Sequence, residues 1–144
     1  DSMYAIVSLD LNFLKHTNDT YGHKKGDELI KNFSDVLLNV FNLYGTVTRT
    51  GGDEFVVILD DITEEKVKSL LEQMLEQMEK KNKSESEVIL STAYGYAMKG
   101  EFSSNQEQNE ENKLNAVNIG PRAVYRIADD RMYENKRKSK LGRQ

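Results

Sequence analysis

Cysteine is missing from the 144 residues, so disulfides and thiolate metal sites are excluded, and any metal must be held by oxygen or by the two histidines. Long apolar runs are missing too. None approaches the roughly 20 residues that cross a bilayer, and no signal peptide opens the chain. An excess of positive charge is also lacking. The net charge of -4 argues against a protein that coats nucleic acid, so no nucleic-acid polymer is expected as a partner. The one basic concentration is C-terminal, at Lys136, Arg137, Lys138, Lys140 and Arg143. What is present, 38% hydrophobic and 31% charged residues, reads as a soluble globular domain with room for one core. The chain opens on Asp1 rather than Met, which reads as a piece of a longer protein.

Residues 3–9 (MYAIVSL) are short, β-branched and aromatic, and predict a core strand ending at Asp10. Residues 11–25 are polar and rich in turn chemistry. A long amphipathic helix follows, with Leu29, Ile30, Phe33, Leu37, Val40, Phe41 and Tyr44 on one face and Gly45 in the usual terminal position. Asp61 or Thr63 could cap a second helix with Val67, Leu70, Leu71, Met74, Leu75 and Met78 on its buried face. Its methionines read as core filler rather than ligands. Residues 88–98 (VILSTAYGYAM) predict another strand, with Gly95 marking a bulge or a close backbone approach. Residues 100–118 read as a mobile polar loop. The sole proline, Pro121, suits the first turn of a last helix that buries Val124, Ile127, Ala128 and Met132. There is no internal repeat and no domain boundary. The order of strands and helices predicts an α/β fold, a ferredoxin-like palm with a mostly antiparallel sheet flanked by helices.

The organising stretch is Gly51-Gly52-Asp53-Glu54-Phe55, followed by Val56-Val57-Ile58-Leu59. Paired glycines supply the positive φ of a tight hairpin turn and leave room for a ligand. Two acids at the mouth of a buried strand call for a partner. If the first strand lies beside this hairpin, Asp10 joins Asp53 and Glu54. Three converging carboxylates repel one another unless a cation is present, and hard divalent ions prefer such oxygens. The alternative is a solvent-exposed turn with three unrelated surface acids.

Three segments together carry a resemblance. Residues 10–27 (DLNFLKHTNDTYGHKKGD), the Gly51-Gly52-Asp53-Glu54-Phe55 motif and residues 128–136 (ADDRMYENK) are similar, in order, to the signatures of the diguanylate cyclase (GGDEF) family. The resemblance implies a nucleotidyl cyclase-like palm that condenses two GTP molecules into cyclic di-GMP at the interface of a homodimer, releasing pyrophosphate. It implies that Asp10, the Leu11 carbonyl and Glu54 bind Mg²⁺ or Mn²⁺. Asp53 would lie beside the ribose, where it is discussed as helping to activate the 3′-hydroxyl. Asn18 and Asp27 would contact guanine, with a turn residue and a helix N-cap as their structural alternatives. Lys15, Lys136 and Lys140 would meet the triphosphate, although the last two also fit a basic, solvated helix end. Gly51 and Gly52 would let the backbone approach the nucleotide. His23 reads as structural and His16 as exposed.

Departures from the pattern are Asn12 and Leu14 in the first signature. Residues 42–45 (NLYG) stand where many members carry an inhibitory Arg-x-x-Asp product site. The helix that usually precedes the first strand is also missing from these residues. The expected setting is a cytoplasmic domain, and the sequence leaves open whether a parent chain carries a sensor, a phosphodiesterase domain or a membrane anchor. Two other readings stand beside the enzyme: a catalytically inactive GTP-binding regulatory module, and a scaffold that only dimerises.

Overall fold

The computed structural model describes residues 3–84, 89–99 and 120–141, with the side chains of 139–141 outside the description. In chain order the elements are β1 (Ala5–Leu11), α1 (Leu14–Tyr21), α2 (His23–Phe41), β2 (Gly45–Arg49), β3 (Glu54–Leu59), α3 (Glu64–Ser84), β4 (Thr92–Met98) and α4 (Pro121–Leu141). The strands form one antiparallel sheet in the order β2-β3-β1-β4. This is the expected palm arrangement.

Every residue of β1 is buried, because side chains alternate between two covered faces. Ala5, Val7, Leu9 and Leu11 point to the face shared with Phe55, Val57 and Leu59 and with the apolar sides of α2 and α3. There Phe33 of α2 meets Phe55 edge to face, with ring centroids 5.0 Å apart. Met74 and Met78 are buried in the same core, as filler. On the other face, Ile6 packs with Ala97, Val124 and Ala128. There α4 covers β1 and β4, with Ser8 and Asp10 beneath it. Gly95 makes this possible, since a Cβ there would stand 2.3 Å from Met132 N and 2.6 Å from Ala128 O. It is a close approach.

Several local expectations are corrected. Part of the polar segment 11–25 is helical: Leu14–Tyr21 forms α1, and the bend to α2 falls at Gly22 with φ 93°. Thr17, the buried residue of α1, anchors its inner side, so tertiary contact overrides the turn-prone composition. The long helix ends at Phe41, and Gly45 opens β2 instead of closing the helix. A Cβ on Gly45 would lie 1.8 Å from Ile58 O, so glycine is required there by strand contact. Tyr44 lies beyond the helix, under Lys66. Thr63 rather than Asp61 caps α3, its Oγ1 accepting the Lys66 N–H at 3.2 Å. The last strand begins at Thr92, while Ile89 to Ser91 lead into it and Val88 lies outside the described residues. The loop expected over 100–118 also lies outside them.

Candidate functional site

The register places the site at one end of the sheet. Asp10, near the end of β1, pairs directly with Glu54, the first residue of β3. The hairpin tip is fastened to this end, as Leu11 N–H donates to Asp53 O at 2.7 Å. Within the tip, Thr50 N–H reaches Glu54 O, and Arg49 Nε donates to both Gly51 O and Gly52 O at 3.1 Å. These bonds hold the turn without left-handed glycines. Among the described glycines only Gly22 has positive φ, which corrects the expectation for Gly51 and Gly52. A Cβ on Gly52 would meet nothing within 4 Å, and one on Gly51 would make only ordinary contact with Glu54. Neither the backbone conformation nor the packing demands glycine there.

Asp10 is the unusual group. Its residue is only 5% exposed. Oδ2 accepts from Lys136 Nζ at 2.7 Å, whereas Oδ1 is buried and has no hydrogen-bond partner. Burial pushes its carboxyl above the ordinary carboxylate range. The Lys136 ammonium opposes that shift and the nearby Asp53 carboxylate reinforces it. Lys136, anchored on α4, is held above the ordinary lysine range, chiefly by its hydrogen bond to Asp10. The ammonium thus already acts as a cation on this carboxylate. A buried carboxylate with one oxygen unsatisfied is a poor structural element. It is a good half of a cation site.

The acids converge less tightly than three free carboxylates would. No three or more Asp, Glu or His side chains among the described residues form a set able to hold a metal alone. Asp10 and Glu54 are register partners, while Asp53 flanks them and is felt by Asp10. Mg²⁺ commonly uses one or two carboxylates and completes its shell with phosphate and water, so this donor set fits it. The orphaned Asp10 Oδ1 is the observation that supports the fit.

The other expected residues divide. Asn18 and Asp27 come to the same corner, because α1 and α2 fold against each other at Gly22. The Asn18 amide lies so close to Gly26 that a Cβ there would stand 1.7 Å from Asn18 Oδ1. Asn18 is a helical residue of α1, and Asp27 lies inside α2, which begins at His23, so neither the turn nor the N-cap alternative holds. Asp27 is exposed and Asn18 half-buried. Lys15 is exposed in the first turn of α1. The side chain of Lys140 lies outside the description. His16 and His23 are both exposed.

Three features went unrecognised in the sequence. Phe13, directly after the Asp10 strand, adopts φ 68° and caps α1 in a left-handed conformation that a bulky residue rarely takes. Buried Ser8 donates to Asp129 Oδ1 on α4 at 2.8 Å. Tyr125, also on α4, is raised above the ordinary phenol range by burial first, then by Asp129 and Glu54. The alternation along β1 marks Ser8 as facing the Asp10 side, but only the packing of α4 gives it a partner.

Comparison with known proteins agrees with this geometry. The family model described as diguanylate cyclase, GGDEF domain, matches residues 1–141, and the chain belongs to that family. It is 32% identical over 133 residues to the probable diguanylate cyclase DgcT of Escherichia coli, covering 92% of this chain and 27% of that protein. Over 97 residues it is 30% identical to the diguanylate cyclase DosC of Escherichia coli, covering 65% of this chain and 21% of that protein. The chain therefore spans about a quarter of these relatives' length. Among solved structures, the GGDEF domain of DgcB from Caulobacter crescentus, in complex with c-di-GMP, superposes with a TM-score of 0.74 at 22% identity, over 95% of this chain and 74% of that one. The active GGEEF domain of a diguanylate cyclase from Vibrio cholerae gives 0.72 at 22% identity, over 95% and 78%. These likenesses establish the palm fold.

Proposed function

We propose that this domain is a diguanylate cyclase, joining two GTP molecules into cyclic di-GMP with release of two pyrophosphates. The observation that carries the reading is Asp10. It is a buried carboxylate with one orphaned oxygen, in register with Glu54 of the glycine hairpin and bonded to Lys136. A divalent cation, Mg²⁺ or Mn²⁺, held by Asp10, Glu54 and the Leu11 carbonyl, would offset phosphate charge and acidify the attacking hydroxyl.

The chain's own groups would do the rest. Asn18 and Asp27, brought near each other by the packing of Asn18 on Gly26, would contact guanine. A carboxylate accepts from its N1–H and N2–H, donors that adenine lacks in that arrangement. The open backbone at Gly51 and Gly52 would let the nucleotide lie against the hairpin. Asp53 would stand by the ribose. Lys136, released from Asp10, and Lys15 would take up charge on the triphosphate as flexible point cations. Each 3′-oxygen then bonds to the α-phosphorus of the other nucleotide as pyrophosphate leaves and the hydroxyl proton is lost. On this reading the hairpin, the guanine contacts and the lysines would form one nucleotide site per chain. Joining two nucleotides thus calls for a second copy facing the first. A sensor or a phosphodiesterase unit in a parent protein would be placed to govern that pairing. A structurally similar protein, the diguanylate cyclase SiaD of Pseudomonas aeruginosa, is solved in complex with its activator SiaC.

The test is incubation with GTP and Mg²⁺, followed by chromatographic resolution of the nucleotides. Cyclic di-GMP from the parent chain and none from Glu54→Gln is the expected result. Unchanged synthesis by Glu54→Gln would sink the metal assignment. Binding of a non-hydrolysable GTP analogue without any product would favour a regulatory GTP-binding module instead.

A further inference from the structure

The cation on Asp10 is delivered by α4, so what seats that helix sets the position of Lys136. On the flank of α4 next to β4 the packing is open. A cleft of about 510 Å³ runs along it, lined by Tyr94, Tyr96, Arg131 and Asn135 among others. Two polar contacts cross this flank. Asn135 Oδ1 accepts the Tyr94 backbone N–H at 3.1 Å, and Arg131 Nη1 donates to the Tyr96 carbonyl at 2.9 Å. Tyr94 and Tyr96 present these groups because β4 is the edge strand, its other side being paired with β1.

The spacings match. Residues four apart on a helix are separated by about 6 Å along its axis. Residues two apart on a strand are separated by about 6.7 Å. Arg131 and Asn135 therefore meet alternate residues of β4 in antiparallel sense, as a neighbouring strand would. Between them, Gly95 lets the helix backbone come down beside Met132. The helix is fixed both in rotation and in its slide along the strand.

We infer that Asn135 is a positioning residue: its bond to the Tyr94 amide, supported by Arg131 on Tyr96, holds α4 in the register that puts Lys136 Nζ 2.7 Å from Asp10 Oδ2. Asn135 precedes Lys136 by one residue and lies about 100° away around the helix. A slip at Asn135 thus swings the lysine away from the sheet end. The role assigned to Lys136 in nucleotide binding rests on the proposed function; the positioning itself does not.

The experiment has two readouts. In nucleotide-free protein carrying ¹³C-labelled lysine, the Lys136 ε-methylene resonance is followed at one pH in the parent, Asn135→Leu and Asn135→Asp. The leucine variant, isosteric but without an acceptor, is expected to move it toward the position of a solvated lysine. Asn135→Asp, which can still accept from Tyr94, is expected to leave it in place. A resonance unchanged in Asn135→Leu would overturn the inference. Should that variant not fold, Asn135→Ala carries the same comparison. The second readout is a double-mutant cycle on GTP turnover. Asn135→Leu is expected to raise KM about two- to tenfold, the scale of one lost hydrogen bond, with little change in kcat. In a Lys136→Met background it is expected to add almost nothing. Additive effects would mean that Asn135 acts through general stability, which would also overturn the inference. If the parent chain makes no product while the resonance still responds, the cyclase reading fails and the positioning stands.

Discussion

The two faces of this sheet are held by different forces. Toward α2 and α3, β1 presents Ala5, Val7, Leu9 and Leu11, each at most 1% exposed, against aromatic and aliphatic partners. Toward α4 it presents Ile6, Ser8 and Asp10, and the helix above them is tied down by Ser8–Asp129, Tyr94–Asn135, Tyr96–Arg131 and Asp10–Lys136. Apolar packing is strong and undirected, whereas hydrogen bonds are individually weak and specify geometry. The first face therefore supplies stability, and the second places charge. A domain that must hold a carboxylate out of water at a sheet end needs both.

The comparison breaks most visibly at Phe33. Truncation to alanine removes one ring of the edge-to-face pair with Phe55 and leaves a cavity in a fully buried site. Such changes cost about 3–5 kcal/mol, read as a lower midpoint in urea denaturation. At temperatures where the variant remains folded, its nucleotide chemistry should match the parent's. Loss of activity without loss of stability would show that the two faces are not separable in this way.

The reverse pattern is expected at Asp10. Asp10→Asn should lower cyclic di-GMP synthesis by roughly 10²–10³-fold, the scale set by removing one preorganised electrostatic group. Stability should respond in the opposite sense. The folded-state carboxyl is raised above its ordinary value. Folding is therefore favoured when Asp10 is protonated, and that contribution is lost as pH rises through the raised value. Metal-free Asp10→Asn should then equal or exceed the parent in melting temperature at pH 7 and lose any advantage near pH 4, as scanning calorimetry would show. A variant markedly less stable at pH 7 would mean that the bond to Lys136 outweighs burial.

How much of this was legible in the sequence follows the same division. The α2 and α3 face could be read from periodicity, because apolar residues at helical and strand spacing have few other places to go. The exception is Leu75, which was expected on the buried face and is 40% exposed at its margin. The glycine hairpin and its acids were legible as motifs, and so was Gly95 as a close approach. The segment around Asn18 was misread as turn, since Asn, Asp, Thr and Gly favour turns locally and only packing at Thr17 and the break at Gly22 make it helical. The polar ties of α4 were not legible at all. Ser8 and Asp129 are 121 positions apart, and Asp10 and Lys136 are 126 apart. Nothing local in either partner announces the other. Lys136 was expected at the triphosphate, and its bond to Asp10 emerges only when the helix is laid on the sheet.

A sharper test of the α4 face is Gly95→Ala. The added methyl carbon would meet backbone atoms of Met132, Ala128 and Arg131 at 2.3–2.6 Å, and backbone cannot turn aside as a side chain can. Overpacking of this kind costs about 1–3 kcal/mol. Because the helix must lift, the Tyr94 amide should exchange with deuterium faster than in the parent, while amides in α2 keep their protection. Equal acceleration at the Tyr94 amide of β4 and at the amides of α2 would mean that the sheet faces unfold as one unit.

The smallest effect expected is at Ser8. Its hydroxyl lies on the buried side of β1 and donates to Asp129 Oδ1. Ser8→Ala removes the donor while leaving Asp129 partly exposed, so water can replace the lost partner. The cost should thus be about 0.5–1.5 kcal/mol, the net worth of one such bond, measured by urea denaturation. The complementary change, Asp129→Ala, should cost more, because it strands the hydroxyl of a residue only 3% exposed. The ordering of the two variants matters more than either size. If Ser8→Ala were the costlier change, the stranded hydroxyl would not be the dominant penalty, and Ser8 would contribute through packing on the buried side of β1 beyond its bond to Asp129. If Asp129→Ala is the costlier, the polar face is doing what its geometry suggests, trading packing strength for a fixed helix register beneath which Asp10 and Lys136 meet.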